Sequence, residues 1–284
     1  MKEIVVISGK GGTGKTVITG GLAGVVDRKI MADCDVDAAN LHILLEPQIE
    51  EEGLFKSGYT AVIHPEKCSK CGHCIKVCRF DAIGSDYTID PVYCEGCGFC
   101  SKVCPQEAIS MNENRSGTWF VSNTRYGTLV HARLGIAEEN SGKLVSLVKQ
   151  KARKIAEQKN MEWIIVDGAP GIGCPVISSL SGADFALVVT EPTVSGRSDA
   201  ERVINVAAHF GIEVKVVINK YDLNTDMAGQ IEHYCREHSI QVAGRIGFDD
   251  TVVKAMVQKK TIMEHSSPEV QRSITEIWSK LKKG

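Results

Sequence analysis

Short unbroken apolar runs recur along most of the chain, and many are followed by a stretch with helical spacing. Ile4–Ile7 has no polar alternation, which is typical of a strand covered on both faces. Further strands are predicted over 29–33, 118–121, 128–134, 163–166, 185–190 and 214–219. Helices are predicted after Lys15 and over 142–158. Strands that alternate with helices predict an α/β fold with a mostly parallel sheet.

Residues from about 60 to 112 interrupt this pattern with a cysteine-rich stretch. The segment 68–83, CSKCGHCIKVCRFDAI, aligns with 94–109, CEGCGFCSKVCPQEAI, so the stretch is an internal duplication. We therefore predict two domains: a discontinuous one over 1–58 and 114–284, and a module inserted over 59–113.

Composition excludes several classes of function. The 284 residues carry 33 Lys and Arg against 35 Asp and Glu, a net charge of −2, so no general attraction to nucleic acid is expected. No window approaches the roughly 18 uninterrupted apolar residues of a membrane span. The start of the chain does not follow the pattern of a signal peptide. Eight of the eleven cysteines lie at a repeated spacing, which favours a reducing, cytoplasmic setting over a disulfide scaffold.

A glycine-rich loop follows the first strand and opens the first helix. It fits G-x₄-G-K-[ST] and consists of Gly9, Lys10, Gly11, Gly12, Thr13, Gly14, Lys15 and Thr16. Such a loop binds phosphates with its backbone N–H groups, while Lys15 meets the β- and γ-phosphates and Thr16 ligates Mg²⁺. The alternative is a glycine-rich turn without a ligand.

The run KGGTGKT resembles the deviant Walker A motif of the MinD-type ATPases, which include the nitrogenase iron protein, ParA and Mrp families. The resemblance implies a doubly wound P-loop domain that binds Mg-ATP. It also implies that Lys10 contacts the nucleotide across a dimer interface. ATP would then join two copies of the chain, or this chain and a paralogue. Lys10 and Lys15 would act in catalysis, unless Lys10 is only a solvated lysine.

Other motifs of that family stand in the expected order. Asp35 resembles the carboxylate that positions Mg²⁺ or the attacking water, and we expect it to be catalytic. Asp167 resembles the Walker B carboxylate in the outer shell of Mg²⁺. Asn219, Lys220 and Pro192 resemble the residues around the adenine base. A carboxylate at a strand end is also often only a helix cap.

The cysteine-rich stretch repeats C-x₂-C-x₂-C-x₃-C twice. The first run is Cys68, Cys71, Cys74 and Cys78, and the second is Cys94, Cys97, Cys100 and Cys104. This is the spacing that holds two [4Fe–4S] clusters, with the fourth cysteine of each run bound to the other cluster. Paired C-x₂-C motifs also bind zinc, which is the alternative.

The duplicated module resembles the bacterial two-cluster ferredoxins, which implies a small α+β ferredoxin-like fold. By that resemblance one cluster takes Cys68, Cys71, Cys74 and Cys104, and the other takes Cys94, Cys97, Cys100 and Cys78. Pro105 keeps the ferredoxin proline after the second run. Arg79 replaces it after the first run and places a positive charge near one cluster.

Three cysteines lie outside the module. We read Cys34 and Cys235 as small buried hydrophobic residues. Cys174 follows Asp167 by seven residues, the offset at which the nitrogenase iron protein has a cluster ligand. The second cysteine of that protein family is replaced by Ile136, so a role of Cys174 as a ligand stays open.

Three functions are compatible with these motifs. The first is an ATPase in which nucleotide-driven dimer switching gates electron transfer from two clusters to a redox partner protein. The second is an iron–sulfur assembly or carrier ATPase that serves a client protein. The third is a positioning or regulatory ATPase with redox-sensing clusters.

The end of the chain predicts an amphipathic helix that closes the core. Its apolar residues at helical spacing are Val270, Ile274, Ile277, Trp278 and Leu281. We therefore expect no membrane binding.

Overall fold

The computed structural model describes residues 1–135 and 141–283. In this part of the chain the strands are β1 (Lys2–Ser8), β2 (Lys29–Asp33), β3 (Gln48–Ile63), β4 (Ile109–Thr124), β5 (Gly127–Leu134), β6 (Trp163–Pro170), β7 (Phe185–Thr190), β8 (Glu213–Asn219) and β9 (Gln241–Ile246). The helices are α1 (Lys15–Val25), α2 (Leu41–Leu45), α3 (His73–Val77), α4 (Phe99–Lys102), α5 (Ser141–Gln158), α6 (Cys174–Leu180), α7 (Val194–His209), α8 (Thr225–Glu237), α9 (Asp250–Val257) and α10 (Pro268–Leu281).

The strands form a sheet in the order β3-β4-β5-β2-β6-β1-β7-β8-β9. From β5 to β9 every neighbouring pair is parallel. Val5 of β1 lies between Val166 of β6 and Ala186 of β7. The chain is thus an α/β protein with a mostly parallel sheet, as its apolar runs predicted. The carboxyl ends of parallel strands share one edge, where ligands bind in open α/β sheets.

A continuous apolar core joins this sheet to α1 and α10. Ile4, Met31 and Ile165 from the strands are fully buried in it. Ile274 and Ile277 of α10 are also fully buried there, so the C-terminal helix closes the core as the sequence predicted. Among the described residues, no helix is long and apolar enough to cross a membrane.

The chain divides into two compact units. The first comprises Met1–Gly53, Trp119–Arg133 and the residues from Ser141 onward, and the second comprises Leu54–Thr118 with Leu134 and Gly135. The chain passes from one to the other within β3, β4 and β5.

The second unit has its own small core and an approximate internal repeat. Ala61, Cys74, Ile83 and Ile109 form the core. The two short helices α3 and α4 each follow a glycine in the left-handed region, Gly72 with φ of 77° and Gly98 with φ of 71°. These glycines occupy equivalent positions in the two copies of the duplicated segment.

Three strands differ from the sequence predictions. β6 continues through Asp167 to Pro170, where the sequence predicted a strand that ends at Val166 and is followed by a loop. β3 was not predicted, and β4 spans 16 residues where a strand was predicted only over 118–121. Most residues in the first half of β3 are exposed to solvent. Their polar sequence therefore lacks the unbroken apolar run that predicts a buried strand.

Candidate functional site

The glycine-rich loop connects β1 to α1 at the carboxyl edge of the sheet. Gly14 has φ of 96°, and a side chain there would overlap the amide of Asn219. That amide donates a hydrogen bond to the Thr13 carbonyl at 2.8 Å. Glycine is therefore required at this position both for its backbone conformation and for close approach to β8. The loop and the end of β8 together form one side of the site.

Lys15 lies between two predicted carboxylates. Its Nζ is 2.9 Å from Asp167 Oδ1 and 3.4 Å from Asp35 Oδ2. Thr16 donates its hydroxyl hydrogen bond to Asp167 Oδ2 at 2.7 Å. Residues from α1, from β6 and from the loop after β2 therefore meet at one point. A hydroxyl and two carboxylates are oxygen donors of the kind that Mg²⁺ prefers, so the donor set fits this ion.

Two further residues complete this cluster, and the sequence reasoning missed both. Thr19, one helical turn after Lys15, donates to Asp167 Oδ1 at 2.9 Å. Asp33, at the end of β2, is fully buried and accepts hydrogen bonds from the N–H groups of Asp35 at 3.1 Å and Leu41 at 3.2 Å. The i to i+4 spacing could have indicated Thr19. Asp33 holds both ends of the loop that carries Asp35.

Burial and charge change the pKa values of this cluster. Burial raises the pKa of Asp33 well above its ordinary range, and the neighbouring Asp167 adds to the effect. Burial also raises the pKa of Asp35. Burial alone would lower the pKa of Lys15, but Asp167, Asp35 and Asp33 outweigh it and raise that pKa. Three carboxyl groups therefore lie near one ammonium group. The carboxylates suit a divalent cation, and the ammonium group suits a phosphate.

Lys10 extends from the other flank of the loop. Its Nζ lies 2.8 Å from Glu191 Oε1 and donates to Ser195 Oγ at 2.9 Å. The second oxygen of Glu191 lies 3.3 Å from Lys220 Nζ, which also donates to the Gly12 carbonyl at 3.4 Å. Glu191 thus links two predicted site lysines, and the sequence reasoning did not single it out. The buried Pro192 follows Glu191 and lies just before α7.

The eight cysteines of the duplicated segment line two cavities of the second unit. The first cavity is lined by Cys68, Cys71, Cys74 and Cys104. The second cavity is lined by Cys78, Cys94, Cys97 and Cys100. Each set therefore takes three cysteines from one run and the last cysteine of the other. Backbone N–H groups point at two of the sulfurs, from Ala61 to Cys94 Sγ at 3.5 Å and from Ala108 to Cys104 Sγ at 3.3 Å.

All eleven thiols are free. Over residues 1–135 and 141–283, no group of three or more His, Cys, Asp or Glu side chains is arranged to hold a single metal ion. Cys34 and Cys235 are buried, as predicted, and Cys174 is exposed at the start of α6. Ile136, at the position of the second cysteine expected from the nitrogenase iron protein, lies outside the described residues.

Comparisons with known proteins identify one matching family and several similar proteins. The profile of the family described as CobQ/CobB/MinD/ParA nucleotide binding domain matches residues 4–262. The uncharacterized protein MJ0578 of Methanocaldococcus jannaschii is 34% identical over 99% of this chain and 96% of its own. The septum site-determining protein MinD of Bacillus subtilis is 30% identical over 48% of this chain and 52% of its own.

Solved structures show the same fold. MinD of Pyrococcus horikoshii in complex with Mg-ADP superposes with a TM-score of 0.61 at 15% identity, covering 99% of this chain and 96% of that protein. At this identity the likeness concerns the fold alone.

Proposed function

This chain belongs to the CobQ/CobB/MinD/ParA nucleotide-binding family, and we propose that it is an ATPase that carries two [4Fe–4S] clusters. In this proposal, ATP-driven dimer switching gates electron transfer from the clusters to a partner protein. Family membership supports ATP hydrolysis. The observation that supports cluster binding is the division of the eight cysteines between two cavities, four to each.

The residues of the nucleotide site have separate roles in this proposal. The loop Gly9–Thr16 holds the phosphates through its N–H groups, and Lys15 neutralises charge between the β- and γ-phosphates. Thr16, with Asp35 and Asp167 beyond it, would hold Mg²⁺, and the ion would stabilise the negative charge that develops during phosphoryl transfer. In the structure, Asp35 and Asp167 both pair with the ammonium group of Lys15. Asn219 and Lys220 fix the loop from the side of the base.

Lys10 is the residue that would contact a nucleotide bound in a second subunit. The described contacts of its ammonium group, to Glu191 and Ser195, lie within the chain. To reach a nucleotide in the opposite subunit it must leave them. We expect Lys10→Ala to retain nucleotide binding and to lose ATP-dependent dimers, measured by light scattering after size-exclusion chromatography. Dimers of Lys10→Ala that match those of the wild type would contradict the role of Lys10.

The two cysteine sets have the donor chemistry of [4Fe–4S] sites. Cysteine thiolates are the ligands of such clusters, and each cavity supplies four of them together with apolar walls. Cys71 and Cys97 are exposed, so one side of each set is open to solvent. Exposure and nearby hydrogen bonds tune the potential of a bound cluster, and the cluster supplies one-electron chemistry.

Iron and acid-labile sulfide content of the anaerobically purified chain tests this proposal. Two clusters require about eight iron atoms per chain, and Cys97→Ser should reduce this toward about four. Cys235→Ala, which changes a buried cysteine outside the module, is the matched control and should leave the iron content unchanged. About two zinc ions per chain, without iron, would contradict the proposal and establish the zinc alternative.

One observation favours a second function, the assembly or transfer of clusters. Cys174 is exposed at the start of α6, close along the chain to Asp167. An exposed thiol near the nucleotide site could receive a cluster in transit. This function predicts that ATP speeds cluster transfer to an apo-ferredoxin and that Cys174→Ser abolishes the acceleration. Retention of both clusters during this incubation would argue against it.

A further inference from the structure

Exposed apolar side chains line the second cavity or stand next to one of its cysteines in the sequence. Phe80 is 43% exposed, Val92 75%, Tyr93 62% and Phe99 54%. Phe80 and Phe99 line the cavity, and Val92 and Tyr93 immediately precede Cys94. A single exposed hydrophobic residue needs no explanation, but several beside one cavity are typical of a surface that another molecule covers.

The first cavity lacks this feature among its described lining residues. Its large apolar side chains, those of Ile63, Tyr87 and Ile109, are half-buried or buried. Tyr87 also uses its hydroxyl group, which donates to the Lys70 carbonyl at 2.6 Å. The duplicated module therefore presents two different faces although its halves repeat in sequence.

Charge marks the edge of the second cavity. The exposed charged side chains closest along the chain to Val92 and Tyr93 are acidic, those of Asp90 and Glu95. Glu95 itself lines the second cavity. A partner with basic residues around its own contact surface therefore suits this edge.

We propose that Phe80, Val92, Tyr93 and Phe99, with Glu95 at their edge, form an aromatic face that docks a redox protein with a basic rim. The inference rests on the proposed function, because it assigns electron exchange to the cluster that the second cysteine set holds. One electron leaves the reduced cluster and reduces the partner's oxidised one-electron centre. No covalent bond forms or breaks, and no proton is transferred.

An apolar centre with a charged rim is the usual composition of an interface between proteins. Redox encounters are small and short-lived, so a few aromatic side chains suffice. Opposite charges bring the partners together and make the association rate depend on salt. The acidic surroundings of the aromatic face favour a basic partner over a second copy of the same face, because like charges would repel.

The test uses a basic c-type cytochrome as the probe, with the full chain purified anaerobically. We expect the dithionite-reduced protein to reduce ferricytochrome at a rate that falls as salt rises. The Val92→Ser/Tyr93→Ser variant should lower this rate about tenfold, and Glu95→Lys should remove most of its salt dependence. Val257→Ser, which changes an apolar side chain 79% exposed on α9, and Lys70→Gln, which lies beside the first cavity, are matched controls expected to keep the wild-type rate.

Carbodiimide cross-linking gives a second readout that does not require electron transfer. It joins carboxylates to nearby lysines, so cross-links from the cytochrome should map to Glu95 and Asp90 and disappear at high salt. Cross-links elsewhere, or unchanged rates in the aromatic-face variants, would overturn the inference. Loss of self-association in those variants, seen by sedimentation, would assign the face to a second copy instead. A chain without iron would refute the proposed function, whereas the cross-links would still locate the docking face.

Discussion

Three carboxyl groups, those of Asp33, Asp35 and Asp167, act on the ammonium group of Lys15. Lys15 and Asp167 were predicted from the motifs at the ends of β1 and β6. Asp33 was not predicted, because it belongs to no recognised sequence motif and lies only two residues before Asp35. The structure shows that Asp33 holds the backbone of the loop that carries Asp35. The predicted residues are therefore the ones that would contact nucleotide or its metal ion. The residues that the sequence did not predict, Asp33 and Thr19, hold those residues in position.

The Asp35→Ala variant should still bind ATP but hydrolyse it about 100-fold more slowly, because a group that orients the ion or the attacking water is lost. Phosphate release measures the hydrolysis rate, and a fluorescent ATP analogue measures binding. Asp37→Ala, an exposed carboxylate of the same loop, is the matched control. Equal hydrolysis rates in the Asp35→Ala variant and the wild type would refute the role of Asp35.

His131 of β5 makes the stability of the chain depend on pH. Burial lowers the pKa of His131 to about 4, and the nearby His42 and Arg133 lower it further. Its ring stacks on Phe120 and shares a hydrogen bond of 3.1 Å with Ser122.

A histidine that stays neutral when folded stabilises the fold fully above its unfolded pKa of about 6.5. That stability is lost as the pH falls toward 4. Between pH 7 and pH 5, the free energy of unfolding should therefore decrease by about 2 kcal/mol. Urea titrations at the two pH values measure the decrease, most of which His131→Gln should remove. The exposed His233→Gln should retain it, and a decrease that persists in full in His131→Gln would assign it to other groups.

Among the elements, the buried parallel strands were the easiest to predict. Their unbroken apolar runs have few alternatives, and β1, β7 and β8 lie within two residues of their predicted bounds. β3 was missed because its first half contains three successive glutamates, Glu50–Glu52, which have low strand propensity. Its pairing with β4 is a tertiary contact that the local sequence does not encode. α10 was predicted because its apolar residues recur at helical spacing.

α10 should contribute to stability and not to membrane binding. Ile277 is fully buried, and its side chain packs against Gly244 of β9. Ile277→Ala should therefore lower the free energy of unfolding by about 3 kcal/mol through lost burial and the cavity that remains. Glu276→Ala, an exposed neighbour, should change it by less than about 0.5 kcal/mol. Co-sedimentation of the wild type with anionic vesicles, reduced in Ile277→Ala, would show that the helix leaves the core to bind lipid.

In the whole molecule, the residues proposed for cluster binding lie close together in the sequence, whereas those proposed for nucleotide binding lie far apart. The cysteine sets lie within 37 residues of chain, and their spacing together with the ferredoxin resemblance implied the same two sets that line the two cavities. The contacts of Lys10 with Glu191 and of Lys220 with Gly12 join loops about 180 and 208 residues apart. No spacing rule reaches that far, and these contacts could be found only once the sheet order had placed the strand ends together.

The path of the chain connects the nucleotide site to the segment that holds the proposed clusters. The loop that carries Asp35 leads directly into α2 and then into β3, within which the chain enters the second unit. A change in the hydrogen bonds of Asp33 to Asp35 and Leu41 would move the start of α2. Coupling between the two sites is the central claim, and it requires that nucleotide binds the oxidised and reduced proteins with different affinity.

A redox titration of the clusters, followed by electron paramagnetic resonance, tests this claim most directly. It is performed on the Asp35→Ala variant with MgATP, with MgADP and without nucleotide. The account predicts that MgATP shifts at least one midpoint potential, by about 60 mV if affinity differs tenfold between the redox states. Superimposable titration curves, in protein with its full iron content and with MgATP bound, would contradict it.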